Sequence, residues 1–229
     1  MDAARQAPAQ CRIAIIIDDW GYSTRNCSYL KEINFPLAVA VLPSLLHTQD
    51  VIECAHANGK EIMLHLPLEP HYNTDSYPSD YIIITSMSDA KVDRIMENIL
   101  MRMPHIAGVN NHMGSKATED RRMMTILLKK LKDRGLFFVD SRVTPNSVAA
   151  KIAREQQVPF TVRDIFLDNQ NDRPSIDRQM ALLAKVAKQH GHAVAIGHDR
   201  ELTMQVLKDQ LPHLQSQGFK IVTVQELVR

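Results

Sequence analysis

Short apolar runs recur along the chain at Ile13–Ile17, Leu37–Leu42, Glu61–His65, Ile106–Val109, Leu136–Asp140, Val158–Val162, Ala193–Ile196 and Phe219–Val224. Runs this short and this continuously apolar predict strands covered on both faces, as in a parallel sheet. Between most of them the apolar residues repeat at helical spacing. Ser23 or Thr24 can cap a helix through Ile33, and Thr48 one through Asn58. Ser88 opens another, with Val92, Ile95, Met96, Ile99 and Met103 on one face. A helix from about Glu119 to Arg134 ends at Gly135, which suits the left-handed position after a helix. Pro145 fits the first turn of a helix to about Gln156. Ile176, Met180, Leu183 and Ala187 define the next, closed by Gly191. The last, Glu201–Gln217, contains Pro212 and is expected to break or kink there.

Strands alternating with helices imply a parallel sheet with helices outside it. Seven or eight such units suit a closed or nearly closed barrel better than an open sheet. No repeat or Gly/Ser linker divides the chain, so residues 12–229 read as one domain after a polar lead-in at 1–11, expected to be disordered. Pro67–Ser86, rich in Pro, Tyr, Asn, Asp and Ser, breaks the rhythm. Loops of that length tend to be functional or mobile, and this one could wall or lid a site.

Composition narrows the class. A net charge of +1 gives no footprint for nucleic acid, and no apolar run reaches the roughly 20 residues of a membrane span. Cys11, Cys27 and Cys54 match neither a zinc motif nor a disulfide framework.

The candidate chemistry lies where the strands end. Ile13–Ile17 runs directly into Asp18-Asp19-Trp20-Gly21. A doubly covered strand has no use for unpaired carboxylates, so the pair belongs at a strand end facing a cleft. Neighbours on a strand point to opposite faces, and both aspartates serve one site only if the strand stops there. Active sites of parallel α/β folds lie at the carboxyl ends of the strands. At that edge fall Asp18-Asp19, His65, Asn110-Asn111-His112-Met113-Gly114-Ser115, Asp140-Ser141 and His198. Singly, each has a plain structural explanation: an Asp-Asp turn, a core histidine, a helix cap at Asp140. Jointly, two aspartates and two or three histidines on one rim suggest a metal site with acid–base groups. Oxygen and imidazole donors suit Zn, Mn, Co or Fe(II).

The segments IAIIIDDWGYS, EIMLHLPLEP, GVNNHMGSKATED, FVDSRVT, FLD and AIGHDRELT resemble the divergent polysaccharide deacetylases, a branch of the NodB-type carbohydrate esterases. The resemblance runs from about Ile13 to the C-terminus. It implies a distorted (β/α)₇ barrel, a periplasmic or envelope location, an acetylated glycan as substrate, and a divalent metal with zinc as the expected ion. By resemblance Asp18 is the catalytic base, Asp19 and His65 are metal ligands, and His198 is the general acid. The second histidine of the metal motif would fall at Glu69, so His112 is expected to supply the missing imidazole, with Glu69 in reserve. Asn110, Asn111, Ser115, Asp140 and Ser141 are expected to contact substrate or to orient the ligands and the base, and Asn110, Asn111 or a backbone N–H to stabilise the oxyanion. Pro-His-Pro often follows the last histidine in the family, whereas this chain has Asp199-Arg200-Glu201. The expected reaction is hydrolysis of an N- or O-acetyl group. The alternative, raised by Glu69, is an inactive envelope module that binds glycan or protein on the same barrel.

Overall fold

The computed structural model describes residues 10–72 and 81–229. Nearly all of the expected lead-in, and residues 73–80 of the expected lid, lie outside the described residues.

Seven strands follow the expected runs: β1 (Arg12–Trp20), β2 (Ala38–Val41), β3 (Glu61–Leu68), β4 (Ile106–Met113), β5 (Phe137–Asp140), β6 (Phe160–Val162) and, after a two-residue β7 (Ile165–Phe166), β8 (His192–His198). β9 (Lys220–Ile221) is a short remnant of the last run. All pairings are parallel, in the order β6-β5-β4-β3-β2-β1-β8-β7, with β9 beside β1. The sheet curls so that its two edge strands are consecutive in the chain. Arg163 N–H donates to Asp140 O on β5, beside one edge, and Asp164 N–H to Val194 O on β8, beside the other, at 3.0 and 2.8 Å. Two residues thus bridge the seam in place of a ladder.

Side-chain alternation sorts the core into two layers. Ala14, Ile16, Ala38, Ala40, Met63, Val139, Val194 and Ile196 fill the inside of the curl. Ile13, Ile15, Ile17, Val39, Val41, Leu64 and Val109 pack outward against the helices. The interior is narrow. A Cβ on Gly108 would lie 2.2 Å from the Phe137 ring, so only glycine admits that ring there. From below, Val222, Val224 and Leu227 enter the inner layer.

The outer helices are α1 (Cys27–Glu32), α2 (Thr48–Ala57), α3 (Asp89–Arg102), α4 (Arg121–Asp133), α5 (Ala149–Gln156), α6 (Arg173–His190) and α7 (Glu201–Ser216). Gly135 and Gly191 stand at φ 66° and 79° after α4 and α6, as expected. Three expectations fail. α1 starts at Cys27 and not near Ser23, because Thr24 O accepts from Cys27 N–H in a preceding turn. α5 starts at Ala149 because Asp140 accepts the Ser147 hydroxyl at 2.7 Å, holding Pro145 in a turn. α7 continues through Pro212, which is exposed on the last turn and a half. The carbonyl a proline leaves without a donor can there be met by water. No helix among the described residues is long and apolar enough to cross a membrane.

Candidate metal centre

Alternation determines which side chains enter the mouth of the curl. On β1 the inward set is Ala14, Ile16 and then Asp18, which pairs in register with His198 on β8. On β3 and β4, His65 pairs with Asn110 and Pro67 with His112, each continuing the inward parity of Met63. Asp19 would then point outward. β1 does not stop at the aspartates, contrary to expectation; it runs on to Trp20 with a register shift between Ile17 and Trp20. Asp19 takes φ 65° within that irregularity, and Trp20 lands in the outer core layer with Val41. This bulge turns both neighbouring carboxylates into one site.

Asp19 Oδ1 lies 3.3 Å from His65 Nε2 and 3.1 Å from His112 Nδ1, and the two nitrogens are 3.1 Å apart. Donors about 2.0–2.2 Å from a tetrahedral zinc would be separated by about 3.3–3.5 Å, so the trio fits such an ion. Asp19 Oδ1 is buried and receives no well-directed hydrogen bond, an arrangement that is costly unless a cation meets it. Burial raises the Asp19 carboxyl, but His112 and His65 outweigh it and hold the group well below the usual carboxylate range. An anionic oxygen beside two imidazoles is a donor set for a divalent ion.

Asn110, fully buried, positions two of these groups. Its Nδ2 donates to Asp18 Oδ1 at 2.8 Å, and its Oδ1 faces His65 Nδ1 at 2.9 Å. An ionised carboxylate only accepts, so the amide N–H₂ faces Asp18 and the carbonyl faces His65. His65 Nδ1 therefore carries a proton, which leaves Nε2, on the side of Asp19 and His112, as the atom that would bind an ion. Asp18 is 3 % exposed, and burial raises its pKa despite the opposing effect of His65. Its Oδ2 lies 3.6 Å from His65 Nε2.

Across the mouth, His198 Nδ1 bonds to Asp168 Oδ1 at 2.7 Å. Asp168 Oδ2 also accepts the His198 backbone N–H and the Thr203 hydroxyl, at 2.9 and 2.7 Å. Burial alone would lower the His198 pKa; the hydrogen bond and charge of Asp168 reverse that and leave it raised. Asp168 was not singled out in the sequence. It follows β7, a strand too short to register as one, and its trace was only the FLD segment.

The other expected groups have structural tasks. Asn111 donates to Met113 O at 2.7 Å and accepts from Ser141 N at 2.9 Å. Asn110 and Asn111 both spend an amide donor inside the protein, Asn110 on Asp18 and Asn111 on Met113 O. Ser141 is buried and donates to Asn111 O at 2.9 Å. Asp140 has the outward parity and holds the turn before α5 by accepting from Arg142 N–H and the Ser147 hydroxyl. Ser115 Oγ accepts the His71 backbone N–H at 3.0 Å. Glu69, the expected reserve ligand, stands outside the trio: its two oxygens accept from Lys116 Nζ at 2.7 Å and from both donors of Thr85 at 2.6 Å.

Comparison with known proteins adds three kinds of likeness. The family model described as divergent polysaccharide deacetylase matches residues 15–228. An uncharacterized protein of Haemophilus influenzae is 36 % identical over 206 residues, 90 % of this chain and 73 % of that protein. Among solved structures, an uncharacterized protein from Agrobacterium tumefaciens C58 superposes with TM-score 0.90 at 21 % identity, covering 97 % of this chain and 91 % of that one. The catalytic domain of a peptidoglycan N-acetylglucosamine deacetylase from Eubacterium rectale gives 0.58 at 14 % identity, covering 97 % and 94 %. A CE4 family pseudoenzyme from Bacillus anthracis gives 0.52 at 16 %, covering 96 % and 66 %. These structural likenesses establish the shared barrel-like fold.

Proposed function

The chain belongs to the divergent polysaccharide deacetylase family, and from that premise we propose that it is a metal-dependent hydrolase removing acetyl groups from an envelope glycan. The observation that carries the reading is the placement of Asp19, His65 and His112, with ligand atoms within 4.8 Å of one another, on the same mouth as Asp18 and His198. Asp19, His65 and His112 would hold the divalent ion, with zinc the expected one. When bound, that ion supplies Lewis-acid polarisation of the acetyl carbonyl and stabilises the charge that develops there.

The residues supply the proton transfers. Asp18 Oδ1 is engaged by Asn110, so Oδ2 is the atom that takes the proton of the attacking water. His198 Nδ1 is engaged by Asp168, so Nε2 returns a proton to the departing amine or alkoxide. Asn110 keeps base and ligand in register, because one amide bonds both.

The test is acetate release by zinc-loaded protein from acetylated glycans, peptidoglycan fragments included. Asp18→Asn should nearly abolish turnover with zinc retained, and His198→Ala should lower it about 10²–10⁴-fold. A measurable rate indifferent to both substitutions rejects the mechanism. No hydrolysis of any acetylated glycan favours the second reading, an inactive envelope module. Glu69 favours that reading, since it replaces the histidine of the ordinary metal motif and is engaged elsewhere.

A further inference from the structure

Six large hydrophobic side chains are exposed among the described residues, and four of them belong to loops that follow strand carboxyl ends. Tyr22 follows β1 and is 58 % exposed, Leu46 follows β2 at 87 %, Tyr72 follows β3 at 85 %, and Val143 follows β5 at 38 %. The metal trio, Asp18 and His198 stand at the carboxyl-end halves of β1, β3, β4 and β8, on the same rim of the parallel sheet. Water-exposed apolar surface gathered around one site marks a binding surface.

Tyr22 and Leu46 are not exposed because their loops are loose. Leu42 N–H donates to Trp20 O and His47 N–H to Gly21 O, at 2.9 and 3.0 Å. The loops after β1 and β2 are thereby stitched together backbone to backbone. The Thr48 hydroxyl fixes the second loop from inside, donating to Leu42 O at 2.8 Å and accepting from Leu45 N at 2.9 Å. Gly21, at φ 119°, takes a turn that strains any other residue, and it packs against Leu42 and Leu45. The tyrosine is held outward on a rigid support immediately after Asp19-Trp20-Gly21.

We infer that this rim is a platform for the pyranose rings of a glycan, with Tyr22 as its stacking anchor and Leu46 as its apolar flank. A pyranose has a C–H face and a hydroxyl-bearing edge. A tyrosine ring offers the matching apolar face with a polar tip. The loop that carries Tyr22 also carries Asn26, whose amide donates to Asp199 Oδ1 at 2.7 Å beside His198. Asn26 is itself buried, and it holds the partly exposed Asp199 carboxylate, an acceptor that suits a sugar hydroxyl. A lipid surface would favour continuous apolar area or a basic cluster there. The platform deepens the proposed function and takes from it the glycan as occupant. It adds that sugar rings flanking the acetyl group, and not the acetyl group alone, provide binding.

The experiment measures binding of zinc-loaded protein to chitohexaose and to purified peptidoglycan sacculi. Tyr22→Ala should weaken binding about tenfold, equivalent to the loss of one good aromatic contact. Tyr22→Phe should stay within about threefold of the unmodified protein, because the ring and not the hydroxyl does the stacking. Leu46→Ala should weaken it less than Tyr22→Ala. Zinc affinity and Tm should be unchanged in all three, which separates a binding loss from a folding defect. The platform is overturned if Tyr22→Ala binds both glycans as tightly as the unmodified protein. It is also overturned if the unmodified protein binds neither, or if Tyr22→Ala instead loses binding to phosphatidylglycerol vesicles. Hydrolysis of 4-nitrophenyl acetate, too small to need the platform, reports separately on the catalytic reading. Tyr22-dependent glycan binding without any hydrolysis would uphold the platform and reject the hydrolase.

Discussion

Asp19 adopts a left-handed backbone inside an isoleucine-rich strand, a conformation that costs a typical non-glycine residue roughly 1–2 kcal/mol and an aspartate less. Strain of this kind at a donor atom is what a ligand site retains and a plain core would shed. Asp168 acts at one remove, through His198. Its charge raises the imidazole pKa, so His198 stays protonated to higher pH than it would alone. A general acid is lost as pH rises through its pKa. Asp168→Asn should therefore move the alkaline limb of the rate profile to lower pH. The loss should be about 10–100-fold at pH 8 and much smaller near pH 6. A uniform loss at all pH values would mean that Asp168 only supports the fold. Asp18, His65, His112 and His198 were legible in the chain because each stands at or just beyond the end of an apolar run, with roles implied by the family resemblance. The inward turn of Asp19 was not legible, because a bulge depends on how two strands match. Asp168 was hidden by the brevity of the strand before it.

Strands and helices were legible where apolar periodicity was long, and misplaced where side-chain bonds compete with it. Asp140 and Ser147 delay α5, and the turn at Thr24 delays α1. Glu69 is another such competitor. It is the link that ties the segment leaving β3 to Lys116 and Thr85. Glu69→Gln should lower stability by about 1–2 kcal/mol, read as a few degrees in Tm. Zinc affinity should not change. A clear loss of zinc affinity at unchanged Tm would restore Glu69 as a ligand.

The molecule closes its barrel from below with its own C-terminal segment. Leu227 is 3 % exposed within the inner layer, and Glu61 accepts the backbone N–H groups of Val224 and Gln225 at 2.7 and 3.0 Å. Leu227→Ala should cost about 2–4 kcal/mol, lowering Tm by about 5–15 °C with zinc affinity retained. A change in zinc affinity larger than the change in stability would mean that plug and centre are coupled. β1 is completed by β9 and β2 along one side and by β8 along the other. A ribosome releases β8 some 170 residues after β1. Until β8 emerges, the strand carrying Asp18 and Asp19 lacks its partner on one side, and a chain in that condition is exposed to aggregation and suited to capture by chaperones. Asp18 and Asp19 on β1 and His198 on β8 meet only when both strands are in place, so a chain that has not yet delivered β8 holds the mouth of the curl half built.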